Sequence, residues 1–490
     1  MTRVATHRLP SARATRRLPR RLVPLAVIML FSTGCALKAP PDAAAIQAQS
    51  MSAVKVPPTW TVEGAGAGPL SGNWLRAFGD EELVAAVKEA IAYNADLQAG
   101  AARVEQAMLY AKLAGAKLYP TVDLLARGGG KMSGDNSGLS GAVLTASWEL
   151  DLWGRVRYGR AAATADAASV AADYEFARQS IAAAVAKNWF LATEAGLQAE
   201  NARQTIRDGE QLVQLAETRT RVGVGNDEDV YIARAGVGTS RDVLRQLELA
   251  QEQALRALEL LIGRYPSAAI RVTPQLPGQP DSVPSGLPSE LLERRPDVIA
   301  AERRVAAAFN RIGEAKAARL PKISLTTGLS AISSDLFVLK ERDNPIWNFG
   351  ASLLMPIYQG GALKTQVEIR TAEQKLAVAN YASIGLRAFG EVEAALSAES
   401  AAREREQILA QSLADNRRAY DVVQTQFKVG STDLRFVTQR ELALFATESA
   451  LIRMQAEQRV QRVNLHLALG GSFEAPSPPP PPPAPLPGAE

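Results

Sequence analysis

Three segments of the chain alternate apolar and polar residues with the two-residue period of a β-strand. In Asn348–Met355 and Ala142–Asp151 every second side chain is apolar, and the residues around Leu325 follow the same rule. About ten residues of such alternation are the signature of a transmembrane barrel strand, with one face toward lipid and the other toward the lumen. A soluble antiparallel sheet with one wet face gives the same pattern. A fourth, less regular strand precedes Ser133.

Two long stretches have the composition of helices. Proline is absent from Thr121–Tyr265 and from Ile357–Ala475, although the chain contains 28 prolines. Both stretches are rich in Ala, Leu, Glu, Gln and Arg, which favour helices. Each is interrupted once by glycine, which can end one helix and begin a turn into the next. The sequence therefore predicts two helical hairpins of coiled-coil type, with arms at 154–221 and 226–263, and at 361–428 and 433–470. An arm of roughly 67 residues would reach about 100 Å.

The strands and hairpins belong to an internal repeat. At an offset of 201, Asp96 matches Asp297 and Pro120 matches Pro321; further along, at an offset of 207, Gly154 matches Gly361. Each copy thus contains a helix, two strands and a long hairpin. The predicted organisation is a signal peptide (1–34), a lipid anchor and linker (35–70), a first repeat (71–264), an inter-repeat linker (265–286), a second repeat (287–471) and a proline-rich disordered tail (472–490).

The first residues predict export. Seven arginines precede an apolar run that is too short to span a bilayer, as in a signal peptide. The run ends at Ser32-Thr33-Gly34-Cys35, which is similar to a lipoprotein cleavage box and makes Cys35 the predicted lipidation site; a plain secretory signal is the alternative. Without those arginines, the 55 basic residues fall to 48 against 51 acidic ones. The mature chain therefore has no charge excess that would favour nucleic acid.

The residue inventory argues against an enzyme. Cys35 is the only cysteine, and His7 and His466 are the only histidines. A histidine-based metal site or catalytic triad would depend on His466 alone, for which a structural role near a helix end is the simpler interpretation. We therefore predict no catalytic residue, no metal site and no cofactor apart from a covalent lipid on Cys35.

Four strands in one chain require association. Closed membrane barrels need about eight or more strands, and open strand edges in lipid are very unfavourable. Several chains must therefore pool their strands. A lipoprotein scaffold whose coiled coils bridge the envelope without a pore is the main alternative, and it leaves the alternating strands unexplained.

Three motifs carry a resemblance to a known family. Leu287–Arg303 (LPSELLERRPDVIAAER) is similar to a signature of the outer-membrane efflux family, in its NodT-type lipoprotein branch. Trp148–Arg155 (WELDLWGR) and Leu354–Gly361 (LMPIYQGG) resemble its strand-to-helix junctions, which here include Pro120, Gly154, Pro321, Pro356 and Gly361.

The resemblance implies a mainly α-helical homotrimer with a transmembrane β-barrel. Three chains would pool four strands each into a 12-stranded barrel in the outer membrane, above a periplasmic helical tunnel. The complex would conduct small molecules, delivered by an inner-membrane RND pump through a periplasmic adaptor protein. The adaptor would meet the hairpin tips at Arg221, Val222, Gly223, Lys428, Val429 and Gly430.

The resemblance also implies a periplasmic gate near the tips, and here the match is partial. Where relatives often carry Leu-Asp-Ala, this chain has Thr438-Gln439-Arg440. The first hairpin instead carries three consecutive acids, Asp227, Glu228 and Asp229, and we predict that at least one lines the closed entrance. The alternative is that these acids only stabilise the positive end of a helix dipole.

Overall fold

A computed structural model of the chain describes residues 37–62, 72–127, 140–280, 283–284, 286, 288–333 and 346–474. The predicted signal peptide, Cys35 and the proline-rich residues 475–490 lie outside these ranges. The chain divides into two compact units, which are described separately: one contains 115–159 and 311–367, the other 41–114, 160–310 and 368–474.

The first unit is built on a four-stranded antiparallel sheet. Its strands are β1 (Thr121–Arg127), β2 (Ser140–Leu150), β3 (Lys322–Ser333) and β4 (Ile346–Leu354). They pair in the order β1-β2-β3-β4, so that the first and second repeats each contribute one hairpin. The four predicted strands are confirmed, including the irregular one before Ser133.

The helices match the predicted hairpins closely. The first hairpin consists of α4 (Arg155–Arg221) and α5 (Asp227–Ile262), and the second of α8 (Ala362–Lys428) and α9 (Leu434–Ala468). Both long arms contain 67 residues, or about 100 Å of helix. Glycines with positive φ follow all four of these helices: Gly223 at 78°, Gly263 at 85°, Gly430 at 81° and Gly470 at 71°. This left-handed conformation is the one that glycine adopts without steric cost.

The shorter helices show the same repeat. They are α1 (Ala43–Ser50), α2 (Glu81–Tyr93), α3 (Ala95–Ala116), α6 (Pro288–Arg294) and α7 (Pro296–Ala317), with a 3-10 turn at Trp74–Phe78. The helices that precede the two strand pairs, α3 and α7, each contain 22 residues. Within the described ranges, none of the helices has a stretch that is both long and apolar enough to traverse a bilayer.

Two hydrophobic clusters form most of the core of the second unit. One surrounds Tyr381 and Val392 of α8, and the other surrounds Trp189 and Phe190 of α4. Residues from the predicted anchor and linker join the first cluster: Ile46 and Trp60 are buried, and the Trp60 indole donates to the Gly286 carbonyl at 3.1 Å. The part of this segment at 43–62 is therefore packed against the body, unlike a free linker.

The inter-repeat segment is fixed to the second hairpin by two arginines of α9. Arg459 donates to the Pro277 carbonyl at 2.7 Å, and Arg462 donates to the Pro280 carbonyl at 3.0 Å. Arg462 also forms an ion pair with Glu399 of α8, and both side chains are buried. These bonds hold α8, α9 and the inter-repeat segment together.

The His466 side chain is packed in the interior of the second unit. It is buried, and its ring stacks on Trp74 with 5.5 Å between the ring centroids. Burial, and then the nearby Arg462, lower the pKa of His466 to about 3, so the imidazole is neutral at neutral pH.

Candidate channel wall and hairpin tips

The strand register places most of the apolar residues of the four strands on one face of the sheet. Leu124 lies opposite Leu144, Leu144 opposite Leu329, and Leu329 opposite Trp347. Side chains of this face are strongly exposed, with Trp347 at 76% and Leu124 at 70%. A broad apolar surface of this kind is not expected to face water.

The opposite face is mainly polar, although Leu125, Val143 and Ile346 form an apolar row at one end of it. Ser147 lies opposite Thr121 and Thr326, and the Thr121 and Ser147 hydroxyls are 2.9 Å apart. Glu149 lies on the same face, two residues further along β2. Its carboxylate accepts from Arg155 at 2.7 Å and forms an ion pair with Lys322 at 2.9 Å. The sheet therefore separates a face suited to lipid from a face suited to water.

The motif WELDLWGR forms a rigid junction between β2 and α4. The Asp151 carboxylate accepts from the backbone N–H groups of Val156 and Arg157 at 2.9 and 2.8 Å, which caps the first turn of α4. The Trp153 indole donates to the Pro321 carbonyl at 2.7 Å, which connects the two repeats. Gly154 adopts φ 76°, a conformation that favours glycine.

The other predicted junction residues also lie between elements. Pro120 and Pro321 each stand directly before a strand, and Pro356 and Gly361 lie between β4 and α8. Leu37 and Lys38 lie beside this junction. A Cβ added to Gly154 would be 2.7 Å from a methyl carbon of Leu37, and the Lys38 backbone N–H donates to the Tyr158 hydroxyl at 3.0 Å.

The six predicted adaptor-contact residues lie at the two hairpin turns and are exposed: Arg221, Val222, Gly223, Lys428, Val429 and Gly430. Val222 and Val429 present apolar side chains to solvent, 65% and 75% exposed. Each turn therefore exposes one valine at the corresponding position of its repeat.

The three candidate gate acids differ in their surroundings. Asp227 is exposed, whereas Glu228 forms an ion pair with Arg435 at the start of α9. The Asp229 backbone N–H donates to Asn226, which caps α5. Partial burial, and then the nearby Asp433, raise the pKa of Asp229 above its usual range. Glu228 thus forms an ion pair with the second hairpin, and Asp229 is an acid whose charged form is disfavoured.

A second bond links the hairpins at the tips. The Arg219 guanidinium donates to the Phe427 carbonyl at 2.7 Å and lies over the Phe427 ring, 4.7 Å from its centroid. Together with the Glu228–Arg435 ion pair, it joins α4 to α8 and α5 to α9. Sequence reasoning missed both arginines, because their partners lie about two hundred positions away and no local pattern marks them.

The Arg-Arg-Pro-Asp signature has a structural role at the start of α7. The Arg295 side chain is 2% exposed and forms ion pairs with Asp297 at 2.8 Å and Glu391 at 2.6 Å. It also donates to the Ala468 carbonyl, 3.1 Å away at the end of α9. The signature thus joins the start of α7 to α8 and to the last turn of α9.

Comparison with known proteins decides the family. The sequence profile of the family described as "Outer membrane efflux protein" matches residues 86–264 and 287–471, one match in each repeat. The chain belongs to the outer membrane efflux protein family.

Individual members support this result along most of the chain. The chain is 30% identical to the cation efflux system protein CusC of Escherichia coli O6:H1 over 472 residues, which cover 93% of this chain and 99% of CusC. It is 30% identical to the pyoverdine export outer membrane protein OpmQ of Pseudomonas aeruginosa, over 86% of this chain and 93% of OpmQ. The structure of the outer-membrane channel OprN superposes with a TM-score of 0.77 at 25% identity, covering 86% of this chain and 98% of OprN. The predicted family and the predicted mainly helical, four-stranded fold are confirmed.

Proposed function

We propose that this outer membrane efflux protein is the exit channel of a tripartite RND-type efflux system. Three chains would pool their four-stranded sheets into a 12-stranded barrel, and their hairpins would form a helical tunnel in the periplasm. The channel would be passive and would conduct small molecules, with an inner-membrane pump supplying the energy. The proposal assigns no catalytic step to the chain.

The single observation that carries this proposal is the sheet. One of its faces is predominantly apolar and exposed, the other is mainly polar, and among the described residues β1 and β4 each pair on one side only. An apolar face of this sheet can contact lipid only if its two open edges are paired, because unpaired backbone groups in lipid are very unfavourable. Pairing the edges requires several chains to close one barrel. A scaffold without a pore would leave this face in water, at an unfavourable free energy.

The adaptor and the pump enter the proposal through the hairpin tips and the family. Exposed Val222 and Val429 offer small apolar contacts in both turns, which suits a helical partner. CusC and OpmQ are named for different cargoes, a cation and pyoverdine. This difference supports a duct that serves whichever small molecule its pump delivers.

The test of the proposal is conduction by the purified full-length protein in a planar lipid bilayer. We expect discrete conductance steps, because a closed barrel with a polar lumen is a water-filled path. A protein that binds to the bilayer without any conductance step would support the scaffold alternative.

We also propose that Cys35 is acylated. Leu37 contacts the strand-to-helix junction at Gly154, and two residues of chain reach at most about 7 Å. An acyl chain on Cys35 would therefore attach close to the end of the membrane strands. We expect an alkyne fatty acid supplied to growing cells to label the wild type and to leave Cys35→Ser unlabelled. Cys35 is the only cysteine, so labelling that persists in Cys35→Ser would refute thiol acylation.

The third proposal concerns the gate acids. Like charges around a three-fold axis disfavour closure, so replacing Asp227 and Asp229 with asparagine should stabilise the closed entrance. We expect the conductance of closed channels to fall roughly two- to fivefold, with a weaker preference for cations. Asp242→Asn, higher on α5, is the matched control and should leave conductance unchanged. Equal conductance in the Asp227/Asp229 variant and the wild type would remove both acids from the gate.

A further inference from the structure

Glu441 of α9 lies beside a cavity of about 210 Å³ between α4, α5 and α9. The cavity is lined by small and apolar residues, among them Gly209, Leu212, Ile232, Gly236 and Val237. The Glu441 Oε1 atom is shielded from solvent, and no side chain or backbone group in the described part of the chain bonds to it. A carboxyl oxygen in this position is unusual, since buried polar atoms are nearly always hydrogen-bonded.

Asp208 brings negative charge near Glu441, and the described residues that line the cavity bring no positive charge. Asp208 of α4 lies near enough to repel it, and Tyr420 of α8 faces the same two acids. The cavity lining in the described ranges contains no basic side chain; α5 contributes apolar residues, glycine and Ser240. Hence ionised Glu441 is opposed by desolvation and by Asp208, and none of the described residues that line the cavity compensates for either effect.

Desolvation and the charge of Asp208 bring the protonated and ionised forms of Glu441 close to equal stability near neutral pH. Burial, and then Asp208, raise the pKa of Glu441 to about 7. Burial, and then Glu441, likewise raise the pKa of Tyr420, so that its hydroxyl stays neutral. The protonation state of Glu441 therefore changes within the range of pH that a cell envelope experiences.

We propose that Glu441 is a proton-operated switch for the packing of α9 against α4 and α5. When it is protonated, the carboxyl group is compatible with the largely apolar lining of the cavity. When it is ionised, it must draw water into the cavity, which is large enough for several molecules and offers the hydroxyls of Thr205, Ser240 and Thr438 as further partners. Hydration weakens the contact between the two hairpins of one chain.

The position of the switch connects it to the hairpin tips. Glu441 lies two turns into α9, about 11 Å along the helix from Leu434. Arg435, which holds Glu228 of the first hairpin, is on the same two turns. The pH-dependent change in packing does not depend on the proposed function. Its interpretation as regulation of an efflux channel does rest on that function.

The direction of the pH effect follows from linkage. A carboxyl group released into water has a pKa of about 4.3, well below its value in the closed packing. The packed form therefore binds more protons, and it loses stability as the pH rises from about 4.3 to about 7. Between pH 6 and pH 8 the local opening equilibrium should rise about tenfold.

The experiment is amide hydrogen exchange of residues 434–442 in the full-length protein in detergent, corrected for the intrinsic pH dependence of exchange. We expect the wild type to lose about tenfold protection between pH 6 and pH 8, and Glu441→Gln to lose none. Asp208→Asn should move the transition to lower pH, because it removes the repulsion. Glu448→Gln is the matched control on α9, since Glu448 pairs with Arg417 at 3.5 Å, and it should behave like the wild type.

Three results would overturn the inference. One is protection in the wild type that does not change with pH, and another is an unchanged transition in Glu441→Gln. The third is lower protection in Glu441→Gln than in the wild type at pH 8, which would mean that a neighbouring chain supplies a cation to the carboxylate. Failure of the proposed function is separate, because it would be seen as absent conductance with the exchange pattern intact.

Discussion

Arginine in place of Phe349 is expected to prevent most of the protein from inserting into the outer membrane. Phe349 lies in the middle of β4, on the apolar face, and is 74% exposed. If this face contacts lipid, a cation there costs about 2–4 kcal/mol for each chain near the bilayer centre. Three chains in one barrel would multiply the effect, because every copy carries the same substitution.

The neighbouring residue provides the matched control. Asn348 points to the polar face, next to Gly328 of β3, and faces the proposed lumen. We expect Asn348→Arg to insert at close to the wild-type level and to reduce cation conductance. The measurement is the amount of each variant in purified outer membranes. Equal loss in both variants, or normal insertion of Phe349→Arg, would contradict the assignment of the two faces.

Removing Glu399 is expected to have the second large effect. Its carboxylate pairs with Arg462, which is completely buried, and accepts from Arg403 at 3.3 Å. Replacement by alanine leaves a buried guanidinium without its carboxylate, which lowers the free energy of unfolding by about 3–5 kcal/mol. The pair also joins α8 to α9, so we expect the second hairpin to lose protection first.

Two further variants test whether the loss of stability comes from the broken ion pair or from any substitution in this helix. Glu404→Ala, on the exposed side of α8, should change stability by less than about 0.5 kcal/mol. The double variant Glu399→Leu with Arg462→Met should recover part of the loss, because two apolar side chains leave no buried charge. Chemical unfolding of the purified protein followed by circular dichroism measures all three. A double variant as unstable as Glu399→Ala would show that the packing around these residues, rather than the unpaired charge, is decisive.

Much of the fold could be predicted because it is encoded locally. The alternation in Asn348–Met355 identified β4, and the proline-free stretches identified the four long helices nearly to the residue. Glycines at 223 and 430 marked both turns, since few other residues adopt the positive φ found there. The repeat then supplied the matching helices α3 and α7, and β1 was predicted as the less regular strand before Ser133.

The contacts between distant segments could not be predicted in the same way. Glu228 and Arg435 are both ordinary surface residues in the sequence, and only the meeting of two hairpins makes them partners. The same is true of Glu441, whose unpaired oxygen depends on what α4 and α5 place around it. Trp60 belonged to a segment with the composition of a linker, yet it packs into the core. Such pairings depend on three-dimensional packing, which a single sequence does not specify.

The central claim is that three chains share one barrel, and the most direct test is the native mass of the protein extracted from outer membranes in mild detergent. The account predicts a particle of three chains after the mass of bound detergent is subtracted, because one four-stranded sheet cannot close in lipid. A single chain that stays soluble after its lipid is removed would contradict the channel and favour the scaffold lipoprotein.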